Sequence, residues 1–498
     1  MRKFHKQQIL EIIKSLHIAT EAVLYADCQE TALSLCDYIE ELAGEGAEAI
    51  ILLEEYAELL FKATNGDVGL KQLQKQLIKI ENSIKNNLPI TKIEVAFLSY
   101  KASMSDSLES IYFAAEADPS CDAYFIPIPY YDRLPGGELG QMYYEGEEHY
   151  SDKIKVTHYT NYDIESRRPD VIFNFNPYDG INLVTSVHPD YYSEKLRSFT
   201  DMLVYIPYFL TGAVREAFID TPGVIYSHKV ILWSELVRQQ HVKVLKGKYG
   251  NDIGSLQDKL VVIGSPKIDK AINSVKSDFT LPSDWECILG GKKAVLYNTS
   301  IGAMLAGGGD HIKKIKQALE TFKSNKDVVL WWRPHPLLGT SYKTMRPKLL
   351  QEYNNILEDC RGQSWGILDE TPDLYRAIMY TDAIYGDGSS INGSYLVQGK
   401  PIMKQNVSVG YDSALTGFPK DVFPKSVQEM KERSDYVYRE SDEVRLTDYL
   451  EYVFKRHTFA KEDERENEQK QMAKEAFTNT EGTAGVKIYE YVKSLARS

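Results

Sequence analysis

Short apolar runs alternate with helical segments over most of this chain. The alternation breaks once, at Pro282 and the Gly290-Gly291 pair, and then restarts. The first series has runs at 93–98, 123–128, 171–173, 203–206, 224–226 and 260–263; the second has them at 294–297, 328–332, 383–385 and 401–403. An uninterrupted apolar run marks a strand covered on both faces, and strands separated by helices pair in parallel. The pattern therefore predicts an α/β protein of two Rossmann-like halves in tandem. Ligands of such sheets sit in the crevice at the carboxyl ends of the strands.

Residues 1–90 read as helices only. Ile9, Ile12, Ile13 and Leu16 follow helical spacing, and Asp27 with Glu30 predicts a capping box opening the next helix, which ends near Gly44 and Gly46. Leu70, Leu73, Leu77 and Ile80 mark another helix, stopped at Pro89. The expected domains are a helical module at 1–90, a first Rossmann-like half at 91–280, a second Rossmann-like half at 281–460 and terminal helices at 461–498. The charged run at 461–471 reads as a solvated helix, and Val486, Ile488, Tyr489 and Val492 as the packed face of the last one.

The 498 residues are 43% hydrophobic and 26% charged, which excludes wholesale disorder. A net charge of −13 argues against nucleic acid as a partner, because that binding rests on phosphate neutralisation by Lys and Arg. The longest apolar runs, such as Ala49-Ile50-Ile51-Leu52-Leu53, fall far short of the roughly 20 residues that span a bilayer. The amphipathic start has no signal-peptide core, so the expected location is the cytoplasm, with any membrane contact peripheral. Five cysteines without a C-x-x-C pair suggest neither a disulfide framework nor a zinc site, and nothing calls for a metal or cofactor. The pattern offers no account of the 34 tyrosines.

Candidate chemistry gathers after predicted strands. Arg333-Pro334-His335-Pro336 follows the run 328–332: the prolines stiffen the turn, Arg offers a planar fork for phosphate oxygens, and His can donate to a leaving phosphate. Asp387-Gly388-Ser389-Ser390 follows 383–385 and opens a helix, where hydroxyls and free N–H groups favour an anion; a plain serine cap would look the same. Thr299 and Ser300, after 294–297, join the donor-binding set, and Gly307-Gly308-Gly309 is either a phosphate cradle or a flexible turn. Thr371-Pro372 is read as a helix start. In the first half the segments around Asn174 to Asp179, His188 and Tyr226-Ser227-His228 face the crevice, with His188 the candidate base. No P-loop, H-E-x-x-H or Ser-His-Asp arrangement is present.

These residues carry a resemblance. The stretch from about 200 to 405 resembles the CDP-glycerol glycerophosphotransferase family, the teichoic-acid polymerases and primases, through R-x-H-P at Arg333 to Pro336, D-x-S-S at Asp387 to Ser390, Gly399-Lys400-Pro401, and Gly264-Ser265-Pro266-Lys267-Ile268-Asp269 where the halves join. The stretch 93–207 is similar to a clostridial-type subgroup of that family. The resemblance implies a GT-B fold and a CDP-glycerol or related nucleotide-diphosphate donor. Its acceptor would be a polyol phosphate or a lipid-linked glycan. An acceptor hydroxyl would attack the donor's β-phosphate and CMP would leave. Arg333, His335, Gly388, Ser389 and Ser390 would surround the diphosphate, with Asp387 beside them among the catalytic residues. The chain departs from the family at Tyr205-Ile206-Pro207-Tyr208, where a W-H-G-T-P-x-K segment with the presumed base is usual. Either His188 or His228 takes over, or the acceptor chemistry differs, or it is lost. A GT-B nucleotide-sugar transferase and a non-catalytic envelope-assembly scaffold are the rival readings.

Overall fold

The computed structural model describes residues 1–134, 136–211, 214–250, 254–405, 437–439, 445–455 and 470–497. The charged run at 461–471 lies, but for its last two residues, outside them.

Helices α1 (Lys3–Glu21), α2 (Tyr25–Ala43), α3 (Glu48–Thr64) and α4 (Leu70–Asn87) enclose a core of their own. The predicted stripe is the one that buries Ile9, Ile13 and Leu16. α2 starts at Tyr25 without a side-chain cap, so Asp27 acts as a first-turn charge near the positive end of the helix and forms no capping box. The module is tied to the first α/β half. Arg2 Nε donates to Asp170 Oδ2 and its Nη1 to Glu94 Oε2, both at 2.9 Å, and all three side chains are buried.

The first half contains β1 (Ile93–Ser99), β2 (Cys121–Pro127), β3 (Tyr130–Arg133), β4 (Leu139–Tyr143), β5 (Val171–Asn174), β6 (Thr185–Val187), β7 (Met202–Tyr205), β8 (Lys229–Leu232) and β9 (Leu260–Val262). Six form a parallel sheet in the order β2-β1-β5-β7-β8-β9, and β4-β3-β6 make a small antiparallel sheet that the apolar pattern does not reveal. The expected strand at 224–226 is instead a helix, Pro222–Tyr226, because Pro222 occupies its first turn. A methyl group on Gly223 would lie 2.7 Å from Pro177 Cα, which accounts for glycine there. The strand comes next, as β8.

In the second half β10 (Lys293–Thr299), β11 (Val328–Pro334), β12 (Gly366–Leu368), β13 (Ala383–Gly386), β14 (Ile402–Lys404) and β15 (Val437–Arg439) pair in parallel in the order β12-β11-β10-β13-β14-β15. The expected α/β pair of Rossmann-like domains with a helical module is therefore the observed architecture. The boundary near 281 falls between the helices Pro266–Asn273 and Ser283–Leu289. The terminal helix Ala484–Arg497 does not stand apart: Ala484, Ile488, Tyr489 and Val492 belong to the core of the first half. The halves meet through their strand ends. Leu210, beyond β7, packs so closely on Gly393, in the helix after β13, that a methyl there would lie 2.7 Å from its Cδ2.

Candidate functional site

Each large sheet reverses its winding once, between β1 and β5 in the first half and between β10 and β13 in the second. Such switch points open the crevices in which α/β sheets bind ligands. Both predicted donor loops lie at the second one: Thr299 and Ser300 end or follow β10, and Asp387 to Ser390 follow β13. Gly386 makes the approach close. Its φ is +144°, and a methyl on it would lie 2.1 Å from Asn298 O.

Asp387 is a brace. It is 4% exposed, and Oδ2 accepts from Ser300 N at 2.6 Å and faces His311 Nε2 at 3.3 Å, while Oδ1 accepts from the Gln405 amide. Its carboxylate thus pins together the ends of β10 and β14 and the helix Gly309–Ser324, instead of reaching the crevice as a catalytic group would. His311 Nδ1 continues the chain to Tyr342 OH at 3.0 Å. Sequence reading missed His311, which sits within a buried stripe with Ile312 and Ile315 and looks like core.

Thr299 is also internal. It is fully buried, its hydroxyl accepts from Trp332 Nε1 at 3.3 Å, and its carbonyl accepts from His335 N at 2.9 Å. It positions the histidine turn and has no face for a ligand. Ser300 caps the helix Ile301–Gly307 through Ala303 N at 3.2 Å. Gly308 makes the turn into the next helix with φ +51°. Asp373, not Thr371, caps the helix Leu374–Tyr380.

The serine loop keeps its donors free. Ser389 Oγ accepts from Asn298 Nδ2 at 3.1 Å and from Ile391 N at 3.3 Å, and Ser390 makes no cap bond to the helix Ile391–Val397. The amides of Gly388, Ser389 and Ser390 donate to no protein acceptor among the described residues. With only seven residues in that helix, the dipole adds little, and anion attraction rests on these amides and hydroxyls.

Arg333 is placed differently from the sequence expectation. Nη1 donates to Asp369 Oδ2 at 2.7 Å and Nη2 to Thr371 O at 2.6 Å, with the residue 6% exposed. Asp369 in turn accepts from Trp331 Nε1 and from Thr371 N, each at 2.9 Å. The guanidinium is a strut under the turn. His335 does face the crevice. Leu337 N donates to its Nδ1 at 3.1 Å. Desolvation by the surrounding crevice pushes the ring down to about 4, with help from the nearby charges of Arg333 and Lys101, although the residue itself is exposed to solvent. Near pH 7 the imidazole is neutral, and because Nδ1 is an acceptor the proton resides on Nε2, a fixed donor.

Across the crevice, Tyr100, Tyr178, Tyr205 and Tyr208 cluster at the carboxyl ends of β1, β5 and β7. Tyr178 and Tyr208 share a bond at 3.1 Å, and burial raises the pKa of all four. This accounts for four of the tyrosines that the sequence leaves unexplained. Lys101, after β1, donates to Tyr130 OH at 3.1 Å. Asp179 is pushed up to about 7 by burial and anchors Ser193 N at 2.8 Å.

The two candidate base histidines are not brought to the second half. His188 follows β6 of the small sheet; its Nδ1 accepts from Asp190 N at 3.2 Å, and its ring lies against Tyr131 and Tyr191. His228 precedes β8, at the opposite end of the sheet from the crevice. Its Nδ1 accepts from Leu203 N at 2.9 Å, and burial pushes it down to about 4.

Solved structures similar to this chain were found. The wall teichoic acid polymerase TagF, in a variant soaked with CDPG, is 12% identical over 90% of this chain and 98% of its own, with a TM-score of 0.43. S. aureus MnaA in its UDP co-structure is 12% identical over 81% and 96%, with a TM-score of 0.45. Methanocaldococcus jannaschii UDP-GlcNAc 2-epimerase with UDP-GlcNAc and UDP is 11% identical over 81% and 99%, with a TM-score of 0.46. No protein-family model and no curated protein matches the sequence.

The segment joining the halves is structural throughout. Lys267 pairs with Asp106, which also accepts from Tyr375 OH of the second half at 2.8 Å. Asp269 accepts from the Ala484 and Gly485 amides at 2.8 and 2.6 Å and so holds the start of the terminal helix. Among the described residues no cluster of His, Cys, Asp and Glu is arranged to hold a metal ion, and no helix is long and apolar enough to cross a membrane.

Proposed function

We propose that the chain is a transferase that holds a nucleotide-diphosphate donor at the β10–β13 switch point and passes glycerol phosphate from CDP-glycerol to a hydroxyl acceptor in cell-envelope polymer synthesis. One observation carries the donor site: three backbone amides without protein acceptors among the described residues, at Gly388, Ser389 and Ser390, share a crevice with the Nε2–H of His335. The strands that deliver them, β13 and β11, flank β10 on either side. Neutral donors fixed in place suit a diphosphate, because stabilising charge in transfer of this kind needs positioned N–H groups more than covalent chemistry. The cytidine and glycerol parts of the reading rest on the R-x-H-P, D-x-S-S and G-K-P resemblance.

In the reaction the acceptor oxygen bonds to the β-phosphorus as the bond to the bridging oxygen breaks. CMP departs with that oxygen, and the hydroxyl proton goes to a base on the acceptor side. His335 Nε2–H and the loop amides hold the phosphate oxygens meanwhile. His335 acts as a neutral hydrogen-bond donor, and neither His188 nor His228 is assigned as the base.

A nucleotide-sugar transferase is the second reading, because a fold of this kind hosts many donors; the absence of the family's W-H-G segment at Tyr205 to Tyr208 favours instead a non-catalytic scaffold. Titration calorimetry with CDP-glycerol, CDP, CMP and UDP-N-acetylglucosamine, together with release of CMP from CDP-glycerol, decides between them. Tighter binding of the UDP-sugar selects the sugar transferase, and no binding of any nucleotide selects a scaffold.

A further inference from the structure

We propose that Lys101, carried by the first half, is the cation that neutralises the donor diphosphate, so that the donor site is completed from across the crevice. The inference rests on the donor reading above and adds the residue that reading lacks. Three fixed amides and a neutral imidazole supply hydrogen bonds but no full positive charge. The arginine at the site is already engaged: Arg333 is held by Asp369 and the Thr371 carbonyl. Lys400 of the G-K-P segment is half-buried and donates to Ile378 O.

Lys101 is situated otherwise. It leaves β1 at the switch point of the first sheet, and its charge is one of the two that bear on the His335 ring. The ammonium stands 4.4 Å from the centre of the Tyr130 ring and donates to Tyr130 OH at 3.1 Å. Among the described residues its ion-pair partner is Glu145, whose Oε1 lies 3.8 Å from Nζ, a loose pair too long for a hydrogen bond. Among the described residues, one of its three N–H donors is therefore taken by a protein hydrogen bond, in a side chain only 16% exposed. Such an arrangement leaves a half-desolvated ammonium short of acceptors, which an anion would satisfy. Glu145 cannot follow the lysine, because its carboxylate is fixed by Ala102 N at 2.7 Å and by Tyr130 OH at 3.1 Å. A flexible four-carbon stem can therefore carry the point charge from its rest beside Tyr130 to a phosphate. Burial lowers the lysine's pKa, and Glu145 opposes that.

The test uses the full chain and two probes, CDP and CMP, by titration calorimetry at low and high salt. Lys101→Ala is expected to weaken CDP by about tenfold to a hundredfold, the scale of a lost charge-assisted bond. CMP should change by less than about threefold, on the same scale, and Lys101→Arg should restore most of the CDP affinity. The salt dependence of CDP binding should flatten in the alanine variant. Lys101→Met, which keeps the stem packed on Tyr130, replaces the alanine variant if circular dichroism shows the latter unfolded. Unchanged CDP affinity, or equal weakening of CDP and CMP, overturns the role of Lys101. A wild-type chain that binds neither nucleotide overturns the donor reading itself, and the two failures are told apart by that control.

Discussion

Arg333 Nη1 lies 2.7 Å from Asp369 Oδ2, with 7% of one side chain and 0% of the other exposed. That contact turns the Arg-Pro-His-Pro segment so that its histidine, and not its arginine, meets the crevice. Breaking a buried pair from one side costs about 3–5 kcal/mol, because the remaining charge is stranded. Arg333→Ala and Asp369→Asn should each shift the urea midpoint downward, with strong coupling in the double variant. An arginine variant that keeps its midpoint yet loses CDP binding would show the guanidinium to be a donor ligand instead.

His335→Ala should lower turnover of CDP-glycerol about 10²-fold, the scale of one lost transition-state donor. Glutamine, whose amide nitrogen reaches nearly the position of Nε2, should retain more activity than alanine. Because the ring is held near 4, NMR titration should find it neutral from about pH 5.5 upward. A midpoint near the ordinary histidine value would restore the general-acid alternative.

Arg2→Met leaves Glu94 and Asp170 facing each other without their shared partner, although Arg167 and Tyr162 still serve Glu94. Burial already raises the Asp170 carboxyl despite Arg2. A loss of about 3 kcal/mol or more is expected, partly recovered by adding Asp170→Asn, as read by chemical denaturation. The same network predicts that a chain starting near residue 87 loses stability. An equally stable truncated chain would show the helical module to be dispensable.

His241 is 2% exposed, and burial pushes its ring from 6.5 down to about 4. Once unfolded, the ring takes up a proton below about 6.5, while the folded chain takes none until about 4. Its contribution is therefore present at neutral pH and is lost as pH falls through that window. Asp179, raised to about 7, works in the opposite direction, so the comparison must be with a variant. In His241→Gln, the drop in unfolding free energy between pH 7 and pH 5 should be smaller by on the order of 2 kcal/mol. Equal drops in the two proteins would contradict it.

The strands were legible because both faces of a parallel sheet are covered, so each writes an apolar run regardless of its neighbours; β1, β5, β10 and β13 all begin within two residues of their runs. Val224-Ile225-Tyr226 misled because an apolar run does not by itself distinguish a strand from a buried turn of helix, and Pro222 decided the matter locally. The positions of His335 and the serine loop follow from strand ends, which sequence order supplies. What Arg333 and Asp387 touch does not, since Asp369, His311 and Gln405 reach them through tertiary packing from other elements. Lys101 was hidden for the same reason: a lysine after a strand is ordinary until Tyr130 and the opposite half are folded around it.

The return of the helix Ala484–Arg497 to the first half has a consequence for synthesis. Ile488, Tyr489 and Val492 fill a core otherwise built from strands and helices made hundreds of residues earlier. The amino-terminal sheet therefore emerges from the ribosome with an apolar strip uncovered, and Asp269 waits for the Ala484 and Gly485 amides until the second half has been made. Translation order and folding order part company here: the half begun first is the half finished last.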